Sequence, residues 1–380
     1  MTLDSQETPA AIVDVRKMEK NIAAMQERMN ALRVKFRPHV KTSKCVDVAQ
    51  AQIAAGARGI TVSTLKEAES FFAAGIVDIL YAVSIVPSKL PRVMALRKRG
   101  CDLKIVVDNA SAALGIVEFC KTAGESLEVW IEVDTDGHRS GLKPEEDALL
   151  EIGRILHAGA IKVGGVLTHA GSSYELNTPE ALAALAEQER AGCVRAAQRL
   201  RAAGIPCESV SVGSTPTALA ARSLEGVTEV RAGVYAFFDL VMHNVGVCAI
   251  DDIALSVLTT VIGHQEDKSW VIVDAGWMAM SRDRGTSKQS RDFGYGLPCT
   301  LDGTPLDGYL MIGANQEHGI LAPGDAGHAP DHGDLKARFP IGSRLRILPN
   351  HACATGAQFP EYHALQATGE LAVWSRLHGW

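Results

Sequence analysis

Short apolar runs alternate with segments of amphipathic-helix periodicity between residues 34 and 237, and the alternation repeats through eight units. Because consecutive parallel strands need a long crossover connection, this repetition favours an α/β fold. Eight units over about 220 residues are the size of a (β/α)8 barrel. The runs are rich in valine and isoleucine, as in strands covered on both faces. A doubly wound open sheet has the same alternation and is the competing prediction. The predicted barrel strands are 34–40, 59–65, 78–85, 103–108, 127–134, 162–170, 206–213 and 229–237.

The alternation stops near residue 250. The remaining chain has β-branched runs separated by clusters of glycine, proline and aspartate, which predicts a mostly β second domain. Its predicted strands are 254–262, 270–274, 344–348 and 370–374, and a loop is predicted over 321–334. A short apolar run also precedes the first barrel helix. We therefore predict a barrel over 16–250 and a β-rich domain formed by 1–15 and 251–380.

Composition excludes several classes of partner. A net charge of −6 with 22% charged residues provides no basic surface for nucleic acid or for an anionic membrane. No apolar run approaches the about 20 residues needed to span a bilayer. The eight cysteines include no CxxC pair, which is typical of reduced thiols. The polar, acidic start is unlike a secretory signal, so we expect a cytoplasmic enzyme without nucleic-acid or membrane partners.

The first predicted strand leads into a lysine, Lys41, within the segment RPHVKTSK. The carboxyl ends of barrel strands face the mouth of the barrel, where catalysis takes place. A lysine amine that is desolvated there can lose its proton and form a Schiff base with an aldehyde. The alternative is a solvated lysine in a surface loop.

The loops after the seventh and eighth strands have the composition of a phosphate site. Gly213, Ser214 and Thr215 follow the seventh strand, and Gly233 lies on the eighth. Barrels often bind a phosphate between these loops, through backbone N–H groups and hydroxyls at a helix start. We predict that the glycines admit the phosphate and that the hydroxyls donate to it. The alternative is that the hydroxyls only cap the following helix.

Aromatic and cationic side chains follow the fifth and sixth strands. His169 is placed to stack under an aromatic cofactor, and Tyr174 is placed to close over it. Arg139 is placed to donate to a phenolate oxygen. A structural imidazole and a salt-bridged turn are the alternatives. Together with Lys41 and a phosphate site, these groups describe a pyridoxal 5′-phosphate (PLP) pocket.

The chain resembles the alanine-racemase-type PLP enzymes, and within them the group of D-serine dehydratases and D-threonine aldolases. The resemblance runs along essentially the whole chain and is carried by TPAAIVD, RPHVKTSK, GARGITVSTLKEAE, DTDGHRSG, THAGSSYE, VGSTPT, RAGVYAFFD, NQEHG and PNHAC. It implies that Lys41 binds PLP covalently, that Arg139 contacts the cofactor phenolate, and that Gly233 and Tyr235 border the phosphate. It places Arg231 beside the pyridine nitrogen. It also implies a homodimer whose active site is completed by the second domain of the partner subunit.

A metal site is predicted at His351 and Cys353, within PNHAC. On an extended chain, residues i and i+2 point to the same side, so the imidazole and the thiolate can bind one ion. A His-x-Cys also occurs by chance, but the resemblance implies a divalent metal here. Two protein ligands leave open coordination positions, as in catalytic sites. Zinc is the metal expected for a thiolate ligand, with manganese and magnesium as alternatives.

The resemblance implies a PLP-dependent lyase that removes water from a 3-hydroxy D-amino acid, giving a 2-oxo acid and ammonia. The main alternative is a D-threonine aldolase, which releases glycine and an aldehyde. A further alternative is a non-catalytic PLP carrier. Such a protein would correspond to the barrel only, and the predicted second domain makes this alternative less favoured. A second substrate carboxylate would require a cation, for which His138, Arg282 and Arg284 are candidates.

Overall fold

A computed structural model of the chain describes residues 1–324 and 334–380. The described residues form two compact units. The sheet unit consists of Met1–Ile22 and Val234–His378, and the barrel unit consists of Ala23–Gly233 and Gly379–Trp380.

The strands, numbered in chain order, are β1 Ala10–Asp14, β2 Lys35–Phe36, β3 Ile60–Val62, β4 Asp78–Ser84, β5 Asp102–Val107, β6 Glu128–Val133, β7 Lys162–Thr168, β8 Ser209–Val212, β9 Glu229–Val230, β10 Leu255–Gln265, β11 Trp270–Val273, β12 Leu297–Cys299, β13 Tyr309–Ala314, β14 Gly319–Pro323, β15 Arg344–Leu348, β16 Glu361–Leu365 and β17 Leu371–Ser375. The α-helices are α1 Val15–Ala31, α2 Val46–Ala54, α3 Leu65–Ala73, α4 Leu90–Lys98, α5 Ala110–Ala123, α6 Asp147–Ala158, α7 Pro179–Ala202, α8 Thr215–Ala220, α9 Leu240–Val245, α10 Trp277–Met280, α11 Leu335–Arg338 and α12 Ala352–Gly356.

The barrel unit contains an eight-stranded parallel sheet in the order β2-β9-β8-β7-β6-β5-β4-β3. An isolated parallel bridge between His39 and Thr61 joins the two ends of this order, so the sheet closes on itself. The predicted (β/α)8 barrel is therefore confirmed, and the doubly wound open sheet is wrong.

Local sequence signals begin the barrel helices. The side chains of Asn109 and Thr178 accept hydrogen bonds from the backbone of the first turns of α5 and α7, and Pro179 occupies the first position of α7. The strands are buried along most of their length, and Leu80, Val106, Trp130 and Leu167, one residue from each of β4 to β7, pack into one cluster. These strands hold their carboxyl ends, and the loops that follow, at one edge of the barrel.

Two predicted strands are much shorter in the structure. The run predicted over 34–40 is a strand only in β2, and the chain turns before Lys41. The run predicted over 229–237 is a strand only in β9, followed by a 3-10 helix at Val234–Ala236. Most residues of both segments are buried, and burial alone does not separate a strand from a buried turn.

The sheet unit is built on a nine-stranded sheet in which β1 lies between β10 and β16. β1 pairs antiparallel with β10 and parallel with β16, and all five of its residues are buried. The amino-terminal strand is thus the centre of this sheet. The mostly β second domain is confirmed, although β12, β13, β14 and β16 were not predicted.

Three further sequence predictions concern single features. The loop predicted over 321–334 is wrong at its start, because residues 321–323 belong to β14, and its residues 325–333 lie outside the described part of the chain. The eight cysteines are all free thiols. Within residues 1–324 and 334–380, none of the helices is long and apolar enough to cross a bilayer.

Candidate active site

Lys41 lies half-buried in a turn that is held from both sides by backbone hydrogen bonds. The N–H of His39 donates to the carbonyl of Ala232 at 2.8 Å, and the N–H of Val40 donates to the carbonyl of Thr61 at 2.9 Å. The turn is therefore fixed between the residues that follow β9 and those of β3, and the lysine is presented at the end of β2.

The far side of the same turn is fixed by a buried carboxylate. Glu67 is 1% exposed, and its carboxylate lies 3.1 Å from the Nζ atom of Lys44. The N–H of Ser63 and the hydroxyl of Thr64 also donate to this carboxylate, at 3.0 and 3.3 Å. Lys44 therefore has a structural partner, whereas no salt bridge of Lys41 occurs among the described residues.

Two imidazoles accompany Lys41. Burial lowers the pKa of His39 well below its usual range, and the charges of Lys41 and Arg231 lower it further. Burial and the Lys41 charge likewise lower the pKa of His169 to about 3. Both rings are therefore neutral near pH 7.

His169 is oriented by a backbone carbonyl. Its Nδ1 atom lies 3.0 Å from the carbonyl oxygen of Gly213, which can only accept, so Nδ1 carries the proton of the neutral ring. The ring of Tyr174 is tilted by 48° to that of His169, with 6.2 Å between the centroids. The two aromatic residues predicted to enclose a cofactor are thus neighbours, but they do not stack on each other.

Arg139 is the most open of the predicted barrel residues. Its side chain is 56% exposed, and Nη2 lies 3.8 Å from Oε1 of Glu132. Burial raises the pKa of Glu132, and Arg139 opposes that shift. The carboxylate of Glu132 can therefore orient the Arg139 guanidinium, while more than half of the Arg139 side chain stays accessible to a ligand.

In the predicted phosphate loop, some polar groups already have protein hydrogen-bond partners and one has none. The Ser214 hydroxyl accepts from the N–H of Thr217 at 3.2 Å and lies 2.9 Å from the Ser173 hydroxyl, so it caps α8. The N–H of Gly213 donates to Glu189 at 2.9 Å. The hydroxyl of Thr215, by contrast, is buried without a hydrogen-bond partner.

The glycines in this region are required by the chain itself. A Cβ atom on Gly213, where φ is +136°, would lie 2.0 Å from the carbonyl oxygen of Arg231. A Cβ atom on Gly233 would lie 2.9 Å from the carbonyl oxygen of His39 and 3.3 Å from the Thr42 hydroxyl. Gly233 therefore lets the chain after β9 approach the turn that carries Lys41.

Arg231 is held by a buried polar chain. It is 4% exposed, and its two terminal nitrogens donate to the hydroxyl of Ser211 and the carbonyl of Thr168, each at 2.5 Å. Ser211 donates in turn to Glu229 at 2.8 Å, and Arg37 pairs with the same carboxylate at 3.0 Å. Burial lowers the pKa of Arg231, while Glu229 opposes that shift.

Tyr235, the last predicted cofactor contact, is fully buried and lies in the 3-10 helix at the start of the second segment of the sheet unit. The remaining barrel residues, from Lys41 to Gly233, lie in the other unit.

The predicted metal ligands lie at the start of α12, within the sheet unit. His351 is extended, with φ −137° and ψ 106°, but Cys353 is already helical, so the predicted extended geometry is wrong beyond His351. A side-chain hydrogen bond nevertheless joins the two residues. Nδ1 of His351 lies 2.6 Å from Oδ2 of Asp283. Within residues 1–324 and 334–380, no group of three or more His, Cys, Asp or Glu side chains is arranged to hold a metal.

The candidate cations for a second carboxylate have protein partners or are exposed. The guanidinium of Arg282 lies 4.6 Å from the ring centroid of Trp277, and that of Arg284 lies 2.8 Å from Asp292. His138 is exposed and lies in the barrel unit, whereas both arginines lie in the sheet unit.

Sequence reasoning missed Glu189 and Asp283. Glu189 is fully surrounded by protein and joins the ends of β7 and β8 through the N–H groups of Ala170 and Gly213. On the helical face of α7 it has no sequence signal, because glutamate is common on solvated helix surfaces. Asp283 stands between two arginines, which is also typical of an exposed loop.

Comparisons with known proteins give a consistent result. Residues 13–241 match the alanine racemase N-terminal domain, and residues 254–365 match the serine dehydratase domain. The D-threo-3-hydroxyaspartate dehydratase of Delftia sp. strain HT23 is 66% identical over 380 residues, which cover all of this chain and 99% of that protein. Its solved structure has a TM-score of 0.98 with 67% identity and full coverage of both chains.

More distant relatives include both predicted reaction types. A D-serine dehydratase of Dictyostelium discoideum is 28% identical over 97% of this chain and 96% of its own length. A D-threonine aldolase of Arthrobacter sp. is 30% identical over 92% of this chain and 86% of its own length. Two further solved structures are variants of D-threo-3-hydroxyaspartate dehydratase: a C353A variant in a metal-free form and an H351A variant, each with a TM-score of 0.98.

Proposed function

Because the chain belongs to the alanine racemase family of PLP enzymes and has a serine dehydratase domain, we propose that it is a PLP- and metal-dependent dehydratase. Its substrate is a 3-hydroxy D-amino acid, D-threo-3-hydroxyaspartate or D-serine, and its products are a 2-oxo acid and ammonia. The observation that carries this proposal is the 66% identity to a D-threo-3-hydroxyaspartate dehydratase along the entire chain.

We assign the cofactor to the barrel, proposed as residues 16–250. Lys41 is the covalent attachment point, and the buried, unpartnered Thr215 hydroxyl fits a phosphate oxygen as its missing acceptor. Gly213, Ser214, Gly233 and Tyr235 complete the proposed phosphate surroundings. The donor chemistry therefore fits PLP, although Ser214 contributes mainly by capping α8.

The other barrel residues are assigned to the cofactor ring. Arg139, being largely exposed, is proposed to donate to the phenolate oxygen, and His169 and Tyr174 are proposed to border the ring. Because Arg231 is a cation held by Ser211 and Thr168, it would disfavour protonation of a pyridine nitrogen beside it. These roles are supported by the family to which the chain belongs and, for Arg231, by its hydrogen bonds to Ser211 and Thr168.

Lys41 is also the residue proposed to move a proton. When bound, PLP supplies an electron sink for the substrate α-carbon, and a divalent metal supplies a Lewis acid for the β-hydroxyl. The Nζ atom of Lys41 accepts the α-proton of the substrate. His39 and His169 are neutral near pH 7, so neither adds positive charge beside that amine.

We assign the metal to His351 and Cys353 in the β-rich domain, proposed as 1–15 and 251–380. An imidazole and a thiol joined by a hydrogen bond are a donor set that suits zinc, with manganese and magnesium as alternatives. The C353A and H351A variants of the dehydratase, one of them in a metal-free form, support these positions. A homodimer with its site at the subunit interface is part of the same proposal.

Product analysis tests the function. The purified protein is incubated with D-serine, D-threonine and both diastereomer pairs of 3-hydroxyaspartate, before and after EDTA treatment. We expect ammonia and a 2-oxo acid in equal amounts, and loss of this activity with EDTA that added Zn²⁺, Mn²⁺ or Mg²⁺ restores. Glycine with an aldehyde would instead identify an aldolase and overturn the proposal.

A further inference from the structure

The imidazole of His351 is hydrogen-bonded to a carboxylate in a separate loop. Asp283 follows α10, and its Oδ2 atom lies 2.6 Å from Nδ1 of His351. A carboxylate oxygen accepts, so Nδ1 donates its proton. In a neutral imidazole with its proton on Nδ1, the lone pair is on Nε2, and that atom is the one available to a metal.

Asp283 is fixed independently of His351. Its backbone N–H donates to the Ser281 hydroxyl at 3.0 Å, and the N–H of Gly285 donates to its carboxylate. The side-chain amide of Asn350 donates to its carbonyl at 3.4 Å. The carboxylate therefore has a defined position to which the imidazole can be oriented.

Asn350 ties this loop to the predicted metal-binding segment. It is 3% exposed, its amide donates to the carbonyl of Gly294 at 2.7 Å, and its oxygen accepts from the Thr286 hydroxyl at 3.2 Å. Because His351 is the next residue along the chain, one buried side chain fixes both the loop of Asp283 and the backbone of His351.

A second carboxylate fixes the backbone between the two predicted ligands. Asp239 is 1% exposed, and its Oδ2 atom accepts from the N–H of Ala352 at 2.9 Å. Its Oδ1 atom accepts from the N–H of Met242 at 2.9 Å, which caps α9. The segment from Asn350 to Ala352 is thus fixed by the side chain of Asn350 and the backbone N–H of Ala352, while Asp283 orients the imidazole.

We propose that Asp283 is a positioning residue of the metal site, which holds the Nδ1 proton of His351 and presents Nε2 to a divalent cation. This inference rests on the proposed metal at His351 and Cys353. A carboxylate partner fixes the orientation of a ligating imidazole and raises its basicity, and loss of such a partner typically costs about 10–100-fold in metal affinity.

The test is zinc affinity, measured by competition with a chromogenic chelator on the full-length, EDTA-stripped and dialysed protein. Asp283→Ala removes both the charge and the acceptor, whereas Asp283→Asn keeps an oxygen acceptor without the charge. The matched control is Asp292→Asn, which removes a carboxylate from the same loop that pairs with Arg284 at 2.8 Å. His351→Ala removes the ligand itself, and thermal unfolding verifies that each variant is folded.

We expect zinc affinity to fall about 10–100-fold in Asp283→Ala, less in Asp283→Asn and not at all in Asp292→Asn. Cobalt(II) loading is a second readout: the thiolate charge-transfer band should persist in Asp283→Ala, while the ligand-field bands shift. Equal zinc affinity of wild type and both Asp283 variants, with binding abolished in His351→Ala, would overturn this inference alone. A wild-type protein that binds no zinc, manganese or magnesium would overturn the proposed metal site as well.

Discussion

His169 is an example of a residue whose charge state is set by its surroundings. Its pKa is lowered to about 3 by burial and by Lys41, while an unfolded histidine titrates near its usual value of about 6.5. Between these values the unfolded chain binds more protons than the folded one. The neutral, buried His169 therefore contributes its full stabilisation above pH about 6.5. This contribution is lost progressively as the pH falls from about 6.5 towards about 3.

We expect the wild-type protein to become less stable as the pH is lowered from 7 to 5. His169 contributes at most about 1.4 kcal/mol per pH unit in this range. His169→Gln removes the titrating group and keeps an amide that can donate to the carbonyl of Gly213, so its stability should fall less steeply. Urea unfolding at pH 7, 6 and 5 measures the two slopes. Parallel slopes would show that His169 is not buried as a neutral ring.

Sequence alone predicted the residue types of the barrel site but could not assign a role to each of them. The position of Lys41 after the first strand follows from the strand count. Whether Ser214 caps a helix or binds a phosphate depends on its neighbours, and only the structure shows its contacts with Ser173 and Thr217. Asp283 was missed because its partner, His351, is distant in the sequence.

At the scale of elements, β8 and β9 show why one glycine is needed. Gly213 ends β8 with φ +136°, and a Cβ atom there would overlap the backbone of Arg231. Its role is therefore to allow two chain segments to approach, and Arg231 depends on that approach for its position.

We expect Gly213→Ala to destabilise the protein more than Gly204→Ala does. Gly204, after α7, also has a positive φ of +77°, but a Cβ atom there would meet nothing within 4 Å. Gly204→Ala should lower the free energy of unfolding by about 1–2 kcal/mol, through the left-handed backbone conformation alone. Gly213→Ala should lower the free energy of unfolding by about 1–3 kcal/mol through its backbone conformation. The overlap of the new Cβ atom with Arg231 should lower it by about 1–3 kcal/mol more. Urea unfolding followed by circular dichroism compares the two, and equal losses would contradict the steric argument.

Elements with strong periodicity were predicted well, and short buried ones were not. The bounds of β15 were predicted to the residue, because glycine and serine precede this strand and proline follows it. The strand predicted over 229–237 was too long because the buried apolar residues after β9, in the 3-10 helix at Val234–Ala236, were counted as strand. β13 was missed because Gly313 interrupts its alternation, at a point where its register with β14 also shifts.

At the scale of the molecule, eight repeated β/α units favoured the barrel, but only the bridge between His39 and Thr61 excludes an open sheet with the same alternation. The role of the first strand was less predictable. β1 lies between β10 and β16, and such non-local pairing has no local sequence signal. The proposed chemistry depends on one residue of the barrel, Lys41, as the proposed attachment point of PLP.

Borohydride reduction of the PLP-loaded protein, followed by peptide mass spectrometry, tests that attachment most directly. Lys44 is an internal comparison, because it lies in the same turn but is paired with Glu67 at 3.1 Å. We expect a stable phosphopyridoxyl group on Nζ of Lys41 and none on Lys44. A label on Lys44 or another lysine, or no label at all, would contradict the proposed role of Lys41 and the chemistry that depends on it.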